Sequence, residues 1–191
     1  MLELLATLEK EISRRGLDND KISSILSENK DVVNRRIIQG YASVSVVDRE
    51  GQKIPIYALK EAVHRFMLNP FYRPLTVFHS DIVVGRILPK WTNPDNGETL
   101  MSEVDNLGWK VLAEIRDDID VANKTWDEVV KGNLRSFSIA GSSKDKLQIN
   151  SNGNNYEEIK SLDIYENTIC QMGVNQEAKF NILWNPQSIR F

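Results

Sequence analysis

Residues 36–47 read RIIQGYASVSVV and carry the clearest strand signal in the chain. Small and apolar residues at 38, 40, 42, 44 and 46 alternate with a second, mostly polar set: Gln39, Tyr41, Ser43, Ser45 and Val47. This period of two is typical of a half-buried β-strand. The next four residues, Asp48-Arg49-Glu50-Gly51, have the composition of a turn.

A helix follows this turn. Apolar residues recur at positions i, i+3, i+4, i+7 and i+8, namely Leu59, Ala62, Val63, Phe66 and Met67. That spacing gives one apolar helical face. Pro55 lies near the first turn, where its missing N–H costs little, and Asn69-Pro70 ends the helix.

The rest of the chain contains mainly strand signals. Strands are predicted at residues 75–79, 82–88, 109–115, 134–140, 146–149, 156–171 and 178–184. The segment 91–106 is predicted as a surface loop, and Asp118 or Asp120 is expected to cap a helix over 121–131. Turns rather than helices separate most neighbouring strands, which favours a mainly antiparallel sheet. We therefore predict an α+β fold, with an antiparallel β-barrel or a strongly curved sheet surrounded by helices.

Residues 1–33 are predicted to be a helical N-terminal arm attached to a domain at 34–191. Leu5, Leu8 and Ile12 form the apolar stripe of a first helix. Asp18 or Asn19 can cap a second helix, whose stripe is Ile22, Ile25 and Leu26. Both stripes are thin, so the arm is expected to pack on the domain or on a partner.

Composition excludes several classes of protein. The 191 residues contain 24 Lys and Arg against 27 Asp and Glu, a net charge of −3, which argues against nucleic-acid binding by charge neutralisation. Cys170 is the only cysteine, which excludes an internal disulfide and fits a reducing compartment. With two histidines, a closed zinc site is not expected, and no cofactor is predicted. No apolar run approaches the roughly 18 residues of a membrane span, and the N-terminus lacks the features of a secretory signal.

Common catalytic motifs are absent from the sequence, including phosphate-binding loops, HExxH, CxxC and the GxSxG nucleophile elbow. His79 is one candidate, because it lies where an apolar strand enters a tight turn, a position suited to a rigidly held base. A half-buried histidine bonded to a turn carbonyl would give the same pattern. His64 lies on the polar side of its helix and is interpreted as a solvent-exposed residue.

Ser138 is the second candidate. In the strand 134–140 it faces away from Phe137 and Ile139, beside Ser136 and Ala140, and these small neighbours leave room for a substrate. The polar outer face of an amphipathic strand is the alternative interpretation.

The third candidate is a carboxylate in the segment 163–166. Asp163 and Glu166 fall on opposite faces of a regular strand, so only one can share a site with the other two candidates. A surface salt bridge would also explain such a carboxylate.

The order of these elements resembles the prohead protease family of tailed phages. The resemblance covers roughly residues 40–184 and is carried by DREGQKIP at 48–55, LKEAVHRFM at 59–67, and a histidine on the next strand followed by Val84-Gly85-Arg86. WDEVVKGNLRSFSIAG at 126–141 is similar to the family's helix, glycine and strand ending in F-S-I-x-G. ENTI at 166–169, with Asn175 and Ala178, is similar to its E-x-S-L…P-A-N…A segment, although Thr168 replaces the serine and Gly173-Val174 replaces Pro-Ala.

This resemblance is closest to the branch found in prophages of Gram-positive bacteria, and the family is related to herpesvirus assemblins. It implies an assemblin-like fold and a serine endopeptidase inside the procapsid in the host cytoplasm, which cuts scaffold or capsid proteins and also itself. It maps the nucleophile to Ser138, the base to His79 and the acid to Glu166, with Asp163 as the alternative acid. Substrate proteins and copies of the same chain are the expected partners, without nucleic acid or membrane. The competing interpretation is a non-catalytic scaffolding or structural protein of the virion that keeps the protease-like fold.

Overall fold

The structure is a computed structural model that describes residues 1–15, 35–69, 72–151 and 153–185. The described residues contain three helices: α1 (Leu2–Arg15), α2 (Ile56–Met67) and α3 (Asp120–Val130). None of the helices in these ranges is long and apolar enough to cross a membrane. The predicted second helix of the arm and the boundary at 33/34 lie outside the described residues, so this division into arm and domain stays a prediction.

Strands make up most of the remaining described chain. They are β1 (Arg36–Val44), β2 (Gln52–Lys53), β3 (Pro74–Val77), β4 (Val83–Leu88), β5 (Lys90–Thr92), β6 (Thr99–Met101), β7 (Glu103–Val104), β8 (Gly108–Ile115), β9 (Ser136–Ser151), β10 (Asn154–Cys170) and β11 (Phe180–Trp184). One large sheet has the order β11-β1-β8-β4-β3-β10-β2, with β7 paired to β8 and β9 paired to β10. The α+β class is therefore confirmed.

Most strand pairs of this sheet are antiparallel, as predicted, but β10 pairs in parallel with β2 and β3. Of the two predicted forms, a barrel or a strongly curved sheet, the barrel is wrong, because the described strands form no closed barrel. The beginning of β9 meets the segment before β11 in a single bridge, between Ser136 and Lys179. One bridge with two flanking backbone hydrogen bonds, Phe137 N to Ala178 O and Phe180 N to Arg135 O, brings the two regions together without forming a ladder. The sheet consequently remains open.

The helices α2 and α3 pack their apolar faces on the main core. Ala62 and Trp126 are fully buried there, together with Trp109 of β8 and Phe137 of β9. The predicted capping of α3 is wrong: its N-cap is Ile119, which has no side-chain capping bond. Because the apolar face of α3 is buried against the sheet, packing stabilises the helix without a polar cap.

The first helix of the arm packs against α3. Leu4 and Leu8 are buried in the main core, and Lys124 Nζ donates to Thr7 Oγ1 at 2.6 Å. The terminal ammonium of Met1 pairs with the buried Glu128 carboxylate at 2.9 Å. The expectation that the arm packs on the domain is thus met by the part that the structure describes.

Residues 91–106 are not the irregular loop that was predicted. β5 and β6 form a separate hairpin, and β7 adds to the large sheet. Trp91 is buried in this hairpin, with its ring 6.2 Å from that of Trp184. The Pro, Asn and Gly residues of this segment indicated a loop, but a second apolar cluster on the sheet holds its ends in strand geometry.

The segments 134–140 and 146–149 were predicted as separate strands, but residues 136–140 and 146–149 belong to one long strand, β9. It runs antiparallel to β10 from the pair Ser136–Cys170 to the pair Ser151–Asn154. The register shifts at three places on β10, including the step between Ile164 and Glu166.

Candidate active site

The site begins with a row of side chains across three neighbouring strands. Thr168 on β10 is opposite Ser138 on β9 and also opposite Thr76 on β3. Directly opposed residues of neighbouring strands share a face, so these three hydroxyl groups lie on one side of the sheet. Glu166 is two residues from Thr168 and shares that side. This topology explains how residues far apart in the sequence converge, since β10 separates the strand of Ser138 from the strand that leads to His79.

His79 lies in the turn after β3 in an unusual backbone conformation. Phe78 and His79 have φ angles of 53° and 52°, a left-handed region that residues other than glycine rarely adopt. Two bonds to β10 hold the turn: His79 N donates to Thr168 Oγ1, and Phe78 N donates to the Ile169 carbonyl, both at 3.0 Å. The strained backbone positions the imidazole beside β9 and β10.

Three side chains form a continuous hydrogen-bonded chain. His79 Nδ1 is 2.8 Å from Glu166 Oε1, and His79 Nε2 is 3.1 Å from Ser138 Oγ. An ionised carboxylate can only accept a hydrogen bond, so Nδ1 carries the proton in the neutral ring. Nε2 is then the acceptor for the Ser138 hydroxyl. The other Glu166 oxygen, Oε2, accepts a bond of 2.8 Å from Thr76 Oγ1.

The three side chains of this hydrogen-bonded chain differ in their exposure to solvent. The Glu166 side chain is 18% exposed and the His79 side chain 42% exposed, while Ser138 is almost fully buried. His79 and Ser138 both line a cleft of about 430 Å³. A ligand in the cleft can therefore reach the hydroxyl and the imidazole, while the carboxylate stays behind the ring.

The segment after β10 contributes to the lining of the cleft. Val174 and Asn175 line it, and Asn175 Nδ2 donates to the Val44 carbonyl of β1 at 2.7 Å. A Cβ on Gly173 would lie 2.3 Å from the Phe137 carbonyl oxygen. The close approach to β9 explains why glycine occupies the position at which the sequence departs from the Pro-Ala pattern.

The remaining candidate residues, Asp163, His64 and Cys170, lie outside this hydrogen-bonded chain. Asp163 contacts Lys144 and Arg65, the latter at 3.0 Å, and these two cations hold the pKa of its carboxyl below the usual range. His64 is exposed on α2, as predicted. Burial raises the pKa of the Cys170 thiol to about 11, so this thiol is not a nucleophile at neutral pH.

Two further residues support this hydrogen-bonded chain, Thr76 and Thr168. In the sequence, Thr168 stands out only as a departure from the family pattern and Thr76 only as part of a strand. Both are buried, and each donates or accepts one of the bonds that fix Glu166 or His79. A polar residue within an otherwise apolar strand, as in PLTV at 74–77, was the available signal.

The fold and the cleft together define a class: an α+β protein with a serine, a histidine and a carboxylate in one hydrogen-bonded chain, the arrangement that serine hydrolases use. Comparison with protein families narrows this class. The family model described as caudovirus prohead serine protease matches residues 24–187, and the chain belongs to that family. No curated protein matches the chain.

Membership places the chain among phage serine proteases of capsid maturation. A protease of this kind acts on capsid or scaffold proteins inside the procapsid, in the host cytoplasm. The narrower likeness to the Gram-positive branch and the relation to assemblins stay predictions.

Proposed function

We propose that this chain is a serine endopeptidase that cleaves segments of scaffold or capsid proteins, and also itself, during prohead maturation. Ser138 is the nucleophile, His79 the general base and Glu166 the acid of the site. The observation that carries the proposal is the hydrogen-bonded chain from Glu166 through His79 to Ser138 at the cleft. Family membership supports the same conclusion independently.

The first chemical step is attack on a peptide carbonyl. As the bond from Ser138 Oγ to the carbonyl carbon forms, the hydroxyl proton moves to His79 Nε2. Glu166 stabilises the imidazolium and keeps the ring in the required orientation. The proton then passes to the leaving amine, and water hydrolyses the acyl-enzyme by the reverse sequence of proton transfers.

Backbone N–H groups of β9 are suited to hold the oxyanion. Phe137 N donates to Ala178 O, away from β10, and by the alternation of a strand the N–H groups of Ile139 and Gly141 point to the same side. Both residues line the cleft. They are about 6.6 Å apart along the strand, too far to hold one oxygen together. We assign the role to Ile139 N–H, because it adjoins the nucleophile.

A fluorophosphonate probe tests the proposal. It reports an activated serine by forming an Oγ–P bond with loss of fluoride. We expect labelling of the wild-type protein at Ser138, identified by peptide mass spectrometry, and no labelling of Ser138→Ala. Ser136→Ala is the matched control, since Ser136 lies on the same strand outside the hydrogen-bonded chain, and it should be labelled like the wild type.

Proteolysis should fall by about 10⁶ in Ser138→Ala, as for loss of the nucleophile in subtilisin, which is a reference case. An absence of labelling and of cleavage has to be measured in assembled proheads. If assembled proheads show neither labelling nor Ser138-dependent cleavage, the non-catalytic scaffolding interpretation replaces the enzyme.

A further inference from the structure

The cleft beside Ser138 has an acidic wall. Asp48 and Glu50, from the turn between β1 and β2, both line it. Among the described residues that line the cleft, none is a lysine or an arginine. The cleft therefore presents negative charge to whatever enters it.

These two carboxylates are available to a ligand. Asp48 Oδ1 accepts the backbone N–H groups of Glu50 and Gln52, both at 2.9 Å, which fixes the turn. In the described part of the chain, no group donates to Asp48 Oδ2 or to the Glu50 side chain. Glu50 is exposed, and its carboxylate can turn toward a cation in the cleft.

Nearby cations are already engaged elsewhere. Arg49 Nη1 donates to the Gly173 carbonyl at 2.6 Å. Lys146 pairs with Glu157 at 2.7 Å, and Lys144 pairs with Asp163. Arg49 keeps its positive charge and offsets part of the negative charge of the turn, but among the described residues no lysine or arginine forms an ion pair with Asp48 or Glu50.

A second feature of the cleft points to a ligand independently. Ser43 of β1 lines the cleft and is only 3% exposed, yet its hydroxyl has no hydrogen-bond partner among the described residues. This hydroxyl is available to hydrogen-bond a polar group that enters the cleft. The peptide backbone of a substrate supplies both donors and acceptors for it.

Apolar side chains complete the cleft. They belong to β1, the segment that follows it, β10 and the segment before α2: Ala42, Val46, Ile54, Ile159 and Leu162. Lysine and arginine bury an aliphatic stem against such a surface while the charged head reaches a polar group. An apolar cleft with an acidic wall matches both parts of these side chains.

We infer that this cleft selects a peptide carrying a lysine or arginine, whose charged head binds Glu50 and Asp48 while Ser43 Oγ bonds the peptide backbone. The inference rests on the proposed function for its substrate, and it names the class of that substrate: a basic segment of a scaffold or capsid protein. Glu50 is thus a specificity-determining residue outside the catalytic chain.

Binding to Ser138→Ala tests this inference without requiring catalysis. Three sets of fluorescein-labelled hexapeptides carry lysine, glutamine or glutamate at each position in turn, and fluorescence anisotropy gives their affinities. We expect the best lysine peptide to bind about fivefold more tightly than its glutamine counterpart, the upper range for a partly exposed ion pair. The glutamate counterpart should bind more weakly than either.

Charge reversal at the wall is the sharper experiment. In the Ser138→Ala background, Glu50→Lys should abolish the preference for lysine, whereas Glu61→Lys, on the exposed side of α2, should retain it. Equal affinities for the lysine and glutamine sets, equal behaviour of the two reversals, or no binding of the lysine set up to about 1 mM would overturn the inference.

These binding experiments can fail independently of the test of the proposed peptidase function. Fluorophosphonate labelling of Ser138 without a preference for basic peptides leaves the peptidase and removes the selectivity. A preference that is lost in Glu50→Lys, together with silent proheads, leaves a basic-peptide binding cleft and removes the peptidase.

Discussion

Two carboxylates on the same sheet, Glu166 and Glu114, are both largely buried but are paired in different ways. Glu114 on β8 accepts two bonds of 2.8 Å from the Arg35 guanidinium and one of 3.2 Å from Arg86. Glu166 on β10 accepts bonds from the His79 imidazole and the Thr76 hydroxyl. The partners of Glu114 are two guanidinium cations, whereas the partners of Glu166 are an imidazole and a hydroxyl.

The difference separates a structural charge from a candidate functional one. At Glu114 the carboxylate bonds to the guanidinium groups of Arg35 and Arg86, and it is not among the residues that line the cleft. At Glu166 the hydrogen-bonded chain continues through the imidazole to a serine that opens into the cleft. Burial of a carboxylate alone therefore does not mark a site. A buried carboxylate indicates a candidate site when its partner makes a further contact with a group that lines a cleft.

The largest effect predicted from this comparison belongs to Glu166→Gln. The amide cannot stabilise the imidazolium as a carboxylate does, and it can hold the wrong tautomer of His79. We expect peptide cleavage to fall by about 10⁴, the magnitude found for the acid of subtilisin, with little change in the melting temperature. The measurement pairs kcat/KM with thermal unfolding. Undiminished activity would move the role to Asp163 or leave a Ser138–His79 dyad.

Glu114→Gln should show the reverse pattern. Removing one partner leaves two guanidinium groups without their counter-charge, which we expect to cost about 2 kcal/mol because both remain partly exposed. Chemical denaturation measures this loss. Fluorophosphonate labelling of Ser138, measured below the unfolding transition, should stay at the wild-type rate. A large loss of labelling in a folded Glu114→Gln protein would contradict the separation between the two carboxylates.

The pH dependence of stability checks the same residue. Burial opposes the ionised form of Glu114, but the bonds and charges of Arg35 and Arg86 outweigh it and hold its pKa below the ordinary value of 4.5. A lowered native pKa means that the stabilisation is complete above about pH 4.5 and is lost as the pH falls below it. Wild-type stability should therefore decline on acidification more steeply than that of Glu114→Gln.

Part of this arrangement could be predicted from the sequence. Period-two alternation predicted β1 and β8, and the apolar stripe at 59–67 predicted α2, because each pattern reports burial of one face. Ser138 could be placed on the face opposite Phe137 by the same rule. The choice of Ser138, His79 and Glu166 as one set came from the family resemblance, since alternation does not reveal which strands are neighbours.

The rest depends on long-range pairing. The register shift between Ile164 and Glu166 breaks the alternation of β10, so Ile164 packs in the core although a regular strand would place it with Glu166. The left-handed turn at His79 depends on its bond to Thr168, which is 89 residues away in the sequence. Neither feature has a local signature.

Thr76→Val tests a positioning role within the Glu166 cluster. Valine keeps the shape of threonine but removes the donor to Glu166 Oε2, so the carboxylate is held less firmly behind the imidazole. We expect kcat to fall about tenfold, the effect of one hydrogen bond to a charged group, with KM unchanged. Thr76→Ser should restore activity because it retains the hydroxyl. A fall in Thr76→Val that serine does not rescue would indicate a packing defect.

Asp163→Asn gives the smallest expected effect and tests the alternative acid directly. Its carboxylate lies on β10 like that of Glu166, but it binds Lys144 and Arg65 and has no contact with His79. Exposed ion pairs contribute little to stability, and asparagine retains an oxygen that can accept from Arg65. Activity should stay within about twofold of wild type, with an unchanged melting temperature. A loss comparable to that of Glu166→Gln would mean that the acid of the working enzyme is Asp163 and that the bond between Glu166 and His79 is broken when substrate binds.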